Sequence, residues 1–250
     1  MNFQDQTILI TGGAQGIGKS IVQSFLNFNA KVITLDIDAI DKTLFEHHEN
    51  LKSVKIDLSS PKEIENFCLS FKDKKIDTFV GNAGILSYKN IDNFSHQDAH
   101  HIFDVNLLGH LKLIQSLKNN IAQSDSKKII LMSSINAQFG TSGSILYNMT
   151  KASIESAVKS LCVDLADQKI TVNGIAPGFI KTRMSVLANG TDEFENNDFK
   201  EIYLKQKKLP IGRHGEPQDI ANVALLLASP LANYINGQII NVDGGVTSTF

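Results

Sequence analysis

The stretch that most restricts this chain lies near its start. TILIT (residues 7–11) is a short β-branched apolar run, and TGGAQGIG follows with no spacer. A strand buried on both faces of a parallel sheet has this look, apolar throughout and closed by residues that turn tightly. From residue 16 the pattern changes to helical periodicity, with Ile17, Ile21, Val22, Phe25 and Leu26 on one face. Strand, glycine turn and helix in that order are the context a dinucleotide-binding loop requires. Glycines at 12, 16 and 18 let the backbone approach a diphosphate closely, while the helix start supplies amides and partial positive charge. The spacing is TGxxxGxG, not GxGxxG, so the context carries the reading and the glycine count does not.

The βα rhythm then repeats. KVITLD (31–36) reads as a second strand ending in Asp36, a carboxylate placed to accept hydrogen bonds from both ribose hydroxyls of an adenosine and to repel a 2′-phosphate. Neither Gln15, before the second glycine, nor Ile37 supplies a cation for that phosphate, which favours NAD over NADP. LKSVKID (51–57) reads as a third strand ending at Asp57, with Ser60, Pro61 and Glu63 as a capping box at the next helix. DTFVGNAG (77–84) opens into Asn82, Ala83 and Gly84; residues 95–121 form one long helical pattern containing Asn106; and KKIILMSS (127–134) delivers Ser134. Ligands of open parallel sheets bind outside the carboxyl ends of the strands. Gly12, Asp36, Asp57, Asn82 and Ser134 would therefore gather along one edge. The expected architecture is a single-domain α/β, doubly wound parallel sheet of Rossmann type with helices on both faces.

The chemistry-bearing stretch is SINAQFGTSGSILYNMTK (134–151), with Tyr147 thirteen residues after Ser134 and Lys151 four further on. Four residues are just over one helical turn, so phenol and amine share a face. An ammonium held there favours the phenolate and lowers a pKa normally near 10, preparing the tyrosine to take a proton from an alcohol. Ser134 is placed to hydrogen-bond the same reacting oxygen.

Composition narrows the partners. A net charge of −2 and a pI near 6.4 leave no footprint for nucleic acid or an anionic membrane. No apolar run reaches the roughly 18 residues a membrane span needs, and no signal-peptide layout is present, so a cytoplasmic protein is expected. Cys68 and Cys162 read as reduced buried thiols, and His96, His100 and His101 as a solvated helix face, so no metal is expected. Arg183 and Arg213 are the only arginines. Residues 184–208, acidic then lysine-rich, read as a mixed-charge lid with Met184, Val186 and Leu187 as its apolar inner face.

Together these residues resemble the short-chain dehydrogenase/reductase family along nearly the whole chain, through TGGAQGIG, Asp57, GNAG, Asn106, Ser134, Tyr147, Lys151, PGFIKT (177–182), GRHGEPQDIA and NVDGG. The resemblance implies a cofactor site of Gly12, Gln15, Gly16, Ile17, Gly18, Asp36, Asp57, Leu58, Asn82, Ala83, Gly84, Tyr147, Lys151, Pro177, Gly178, Ile180 and Thr182. It implies a catalytic set of Asn106, Ser134, Tyr147 and Lys151, with Asn106 holding a water that joins Lys151 to solvent. One departure is visible: the family's NNAG is GNAG here, with Gly81 first, which is expected to loosen the fourth strand's link to its neighbour. The implied activity is an NAD-dependent interconversion of a secondary alcohol and a ketone. Two alternatives stand beside it: an NADPH-dependent 3-oxoacyl thioester (acyl-carrier-protein) reductase, and a non-catalytic nucleotide-sensing scaffold. By the same resemblance the helical patterns at 95–121 and 148–167 would pair in a homotetramer or a homodimer.

Overall fold

Seven strands, all parallel, form one sheet in the order β3-β2-β1-β4-β5-β6-β7 in this computed structural model, which describes residues 1–72, 74–186 and 190–249. The strands are β1 (Thr7–Thr11), β2 (Lys31–Asp36), β3 (Leu51–Lys55), β4 (Thr78–Gly81), β5 (Lys128–Met132), β6 (Thr171–Pro177) and β7 (Ile239–Val242). Strand order reverses between β1 and β4. There the connections leave to opposite sides and open a crevice.

Successive side chains of a strand point to opposite faces, and β1 shows what this does to the core. Ile8 and Ile10 join a layer with α1 (Gly16–Asn27) and the late helix Pro217–Ala228, where Val22, Phe25, Ile220 and Leu225 are buried. Leu9 points the other way, into a layer with Phe79 of β4 and with Leu113 and Val158 from the helices on the opposite face. Each such side chain contributes about 1.5–3 kcal/mol on leaving water, so the two layers hold the sheet and its edge in place.

That second face carries α2 (Pro61–Ser70), α3 (His96–Phe103), α4 (Gly109–Ala122) and α5 (Ile145–Asp164). Two expectations change here. The pattern at 95–121 is not one helix, because a π turn, Asp104–Leu108, separates α3 from α4, and the Gly109 amide reaches back to the Asp104 carbonyl. An added Cβ at Gly109 would stand 2.6 Å from the Leu58 carbonyl oxygen, so only glycine lets α4 lie this close to the adjoining loop. The capping box at α2 forms only in half. Ser60 accepts from the Glu63 amide at 3.4 Å, but the Glu63 carboxylate turns to the Asp57 amide at 2.9 Å, bracing the turn after β3 instead of closing on Ser60.

Past β6, short turns at Arg183–Ser185 and Glu193–Glu195 lead into α6 (Asn197–Phe199) and a π segment, Lys200–Lys205, before α7 (Pro217–Ala228). The inner side of this stretch is aromatic. Phe194 and Phe199 are buried and meet the Phe179 ring edge-on at 6.5 and 5.2 Å, while Met184 and Val186 are exposed and Leu187 lies outside the described residues. Arg213 is structural, its guanidinium paired with Asp219 at 2.7 and 3.1 Å across the start of α7. Cys68 and Cys162 are free and half-buried, less enclosed than expected. No helix among the described residues is long and apolar enough to cross a membrane.

Candidate active site

The glycine turn joins β1 to α1 at the edge where strand order reverses. Gly12 sits at φ +71°, and a Cβ on it would come within 2.8 Å of the Ala83 backbone. A Cβ on Gly18 would overlap the Gly12 carbonyl, so at these two positions a side chain would close the space between turn and helix. Gln15 caps α1 with extended backbone, yet no side chain caps the helix and no carboxylate lies in its first turn. Its leading amides thus carry no capping carboxylate of the helix itself, a fit for a diphosphate. Ile17 packs its side chain against the core beneath. Thr182 lies over Gly16, whose added Cβ would stand 3.4 Å from the threonine side chain.

Asp36 ends β2 beside this turn. One carboxylate oxygen accepts from the Ala14 amide at 2.8 Å and the other from Asp38 at 3.0 Å, which leaves further lone pairs directed outward for ribose hydroxyls. Asp38 adds a second carboxylate through Gln15, whose amide nitrogen is 3.4 Å from it. The Asp57 carboxylate holds the Ser59 amide and hydroxyl, both at 2.8 Å, and Leu58 is buried next to it.

At the end of β4, Asn82 closes the floor of the crevice. Its side-chain nitrogen donates to the Thr11 and Gly12 carbonyls at 3.1 and 3.0 Å, while the Asn82 and Ala83 amides both donate to the Thr11 hydroxyl at 3.0 Å. Thr11 was not singled out from the sequence, where nothing distinguishes its hydroxyl from that of any strand-end threonine. Gly84 lies between this floor and the catalytic groups, its added Cβ 3.3 Å from Asn106 Oδ1 and 3.5 Å from Lys151 Nζ. On the far side, Pro177 ends β6, the Gly178 amide donates to the Val242 carbonyl at 3.0 Å, and Ile180 bridges to Gly215.

Tyr147, Lys151, Ser134 and Asn106 converge here, and all are buried. The π turn directs Asn106 inward, where it exchanges two hydrogen bonds with the Ile85 backbone, at 2.8 and 3.0 Å, and reaches Thr150 at 3.1 Å. Lys151 Nζ donates to the Met132 carbonyl at 2.8 Å and stands 5.6 Å from the centre of the Tyr147 ring.

Burial changes the electrostatics expected from the tyrosine–lysine spacing. It lowers the Lys151 amine from 10.5 to about 8 and pushes the Tyr147 phenol above its ordinary value, with Ser134 pulling the phenol back and Tyr88 pushing it further up. The chain's own groups therefore hold the phenol protonated; further positive charge is needed to bring its proton within reach of neutral pH.

A buried, protonated tyrosine beside an amine whose pKa is lowered to about 8, next to a site for a ribose and a diphosphate, suits hydride exchange with a nicotinamide dinucleotide. Comparison with known proteins identifies the family within that class. Residues 12–247 match the family model described as enoyl-(acyl carrier protein) reductase. A 3-oxoacyl-(acyl-carrier-protein) reductase of Chlamydia pneumoniae is 34% identical over 247 residues, 96% of each chain. A galactitol 2-dehydrogenase of Agrobacterium fabrum is 33% identical over 252 residues, 98% of each chain. A solved structure, a short-chain dehydrogenase family protein of Francisella tularensis, matches with a TM-score of 0.85 at 31% identity, over 98% of this chain and 99% of that one. The protein belongs to the short-chain dehydrogenase/reductase family and is an NAD(P)-dependent oxidoreductase acting on CH–OH and keto groups.

The Lys151 shift has a measurable sign. Below about pH 8 the ammonium is buried at full cost, and that cost is relieved as pH rises from about 8 to 10.5, where the unfolded chain still holds the proton. Denaturant unfolding at about pH 7 and about pH 10 is expected to show a smaller alkaline gain, or a larger alkaline loss, for Lys151→Met than for the unaltered protein.

Proposed function

We propose that the protein interconverts an uncharged secondary alcohol and the corresponding ketone with NAD(H), Tyr147 acting as general acid and base. The observation that carries this reading is the buried Tyr147–Lys151 pair beside Ser134, open to the same crevice as the glycine turn. A bound nicotinamide supplies the hydride acceptor or donor. In the oxidative direction Tyr147 takes the hydroxyl proton as the carbinol C–H bond breaks, and in reduction it returns the proton to the ketone oxygen. Ser134 orients that oxygen and stabilises its developing charge. Lys151, together with the positive charge that an oxidised nicotinamide would supply, brings the phenol within reach of ionisation and binds the nicotinamide ribose, and Asn106 anchors the route by which the proton reaches solvent. Gly12, Gln15, Gly16, Ile17 and Gly18 hold the diphosphate, Asp57 and Leu58 the adenine, Asn82 to Gly84 the floor, and Pro177, Gly178, Ile180 and Thr182 the nicotinamide.

NAD is favoured because Asp36, with Asp38 behind it, puts negative charge where a 2′-phosphate would lie. Residues 184–208 act as a substrate lid on a single domain, its aromatic inner side resting on Phe179. Of the two arginines, Arg213 is paired with Asp219, and Arg183 lies toward the glycine turn, 3.5 Å from Gln15. Burial first and then Glu193 raise the Tyr88 phenol, and Tyr88 in turn raises Tyr147, so a carboxylate and not a cation stands on this side of the catalytic tyrosine. The galactitol dehydrogenase relative acts, by its name, on such a neutral polyol. The second reading, a 3-oxoacyl thioester reductase, draws on the Chlamydia relative's name, and Asp36 weighs against its NADPH. A homotetramer is proposed through α4 and α5, where Met149 and Val163 are exposed on α5 and Leu108, at the start of α4, lines an open cavity of about 720 Å³.

Tyr147→Phe is expected to lower turnover by about 10²–10⁴-fold while NADH affinity, read by fluorescence titration, stays close to that of the unaltered protein; retained turnover refutes the assignment. Asp36→Asn should weaken NADH binding about tenfold to a hundredfold and narrow its margin over NADPH, and an unaltered preference removes the NAD reading. Sedimentation at micromolar concentration should show a tetramer, and a monomer overturns the assembly.

A further inference from the structure

The buried imidazole of His110, in the first turn of α4, takes no part in the reaction as described above. It lies against Gly81, where an added Cβ would meet Leu131 Cδ2 at 2.7 Å and the ring at 3.3 Å, so the missing side chain and the ring share one space. The departure GNAG thus has a counterpart on α4: the ring, with Leu131, lies where a side chain at position 81 would stand.

The hydrogen bonds around the ring determine its tautomer. Thr11 Oγ1 already accepts from the Asn82 and Ala83 amides, both at 3.0 Å, which uses its two lone pairs. Its one proton must go to His110 Nε2, 2.9 Å away, so Nε2 is the acceptor. Nδ1 faces the Asn106 carbonyl at 3.2 Å, which only accepts, so Nδ1 carries the hydrogen. Burial first, then the charge of Lys151, lower the imidazole pKa to about 4 and keep it neutral.

We propose that His110 is a positioning residue: its two nitrogens hold the Thr11 hydroxyl and the Asn106 carbonyl at a set separation, tying the cofactor floor to the π turn that presents Asn106. The inference rests on the reading of the site under Proposed function. Through Nε2 it orients the hydroxyl on which Asn82 and Ala83 hang. Through Nδ1 it anchors the carbonyl of the relay asparagine.

Two conservative variants separate the two bonds. His110→Asn keeps a donor near the Nδ1 position and should preserve kcat while raising the NADH Kd. His110→Gln extends an acceptor to the Nε2 position and should preserve the Kd while lowering kcat. His110→Leu should lose both, each by about threefold to tenfold, the worth of one neutral hydrogen bond. Nitrogen-15 NMR of the unaltered protein should find His110 protonated on Nδ1 alone, a readout that depends neither on folding of a variant nor on activity. An Nε2-protonated or charged ring overturns the proposal, as does a His110→Leu protein whose only change is a lower Tm. If Tyr147→Phe keeps its turnover, the parent reading fails while the tautomer result still stands or falls by itself.

Discussion

A parallel sheet ends with a row of strand termini whose amides and carbonyls still need partners, and at the join of β1 with β4 one threonine hydroxyl and one asparagine amide meet that need. Thr11 Oγ1 receives the Asn82 and Ala83 amides, and Asn82 returns two hydrogen bonds to the Thr11 and Gly12 carbonyls. Without this closure the two strand ends could part, and the glycine turn, pressed against Ala83, would lose the surface that shapes it. Both the cofactor floor and the start of α1 depend on the same few bonds. Leaving such groups buried without partners would cost about 1–3 kcal/mol each, which accounts for how fully they are paired.

A second constraint comes from burial of the catalytic pair. Enclosing Tyr147 and Lys151 disfavours whichever form of each is charged, raising one and lowering the other. The two values, nearly equal in water, are thereby driven apart, the amine down to about 8 and the phenol above its ordinary value, so added positive charge is needed before the phenol yields its proton. Desolvation, which at first sight opposes catalysis, brings the amine's pKa down to about 8, closer to a pH where a relay is useful. The hydrogen bond from Lys151 to the Met132 carbonyl satisfies the amine in either form and sets its direction.

The outline of the fold could be read from the chain, and so could most of the residues now gathered at the sheet edge. TILIT, KVITLD and KKIILM are apolar on both sides, a local property that neighbouring residues cannot disguise, and each became a strand. Glycine spacing and the Ser134, Tyr147 and Lys151 register are likewise local. The break in the 95–121 helix was not readable; it falls where Gly109 lies on Leu58, a contact between residues far apart in the chain. Glu63 abandoned its cap for the same kind of reason: the Asp57 amide, brought close by β3, was the better partner.

The sequence by itself determined the strand cores, the helix faces, the order of the motifs and therefore the edge at which they meet, since each depends on residues within a turn or two of one another. Only the tertiary structure decided that the phenol is held protonated, that Arg183 faces the glycine turn, and that His110 fills the space Gly81 leaves. These are matters of burial and of distance across the sheet, where the strength of a charge or a hydrogen bond depends on what surrounds it, and no spacing along the chain carries that information.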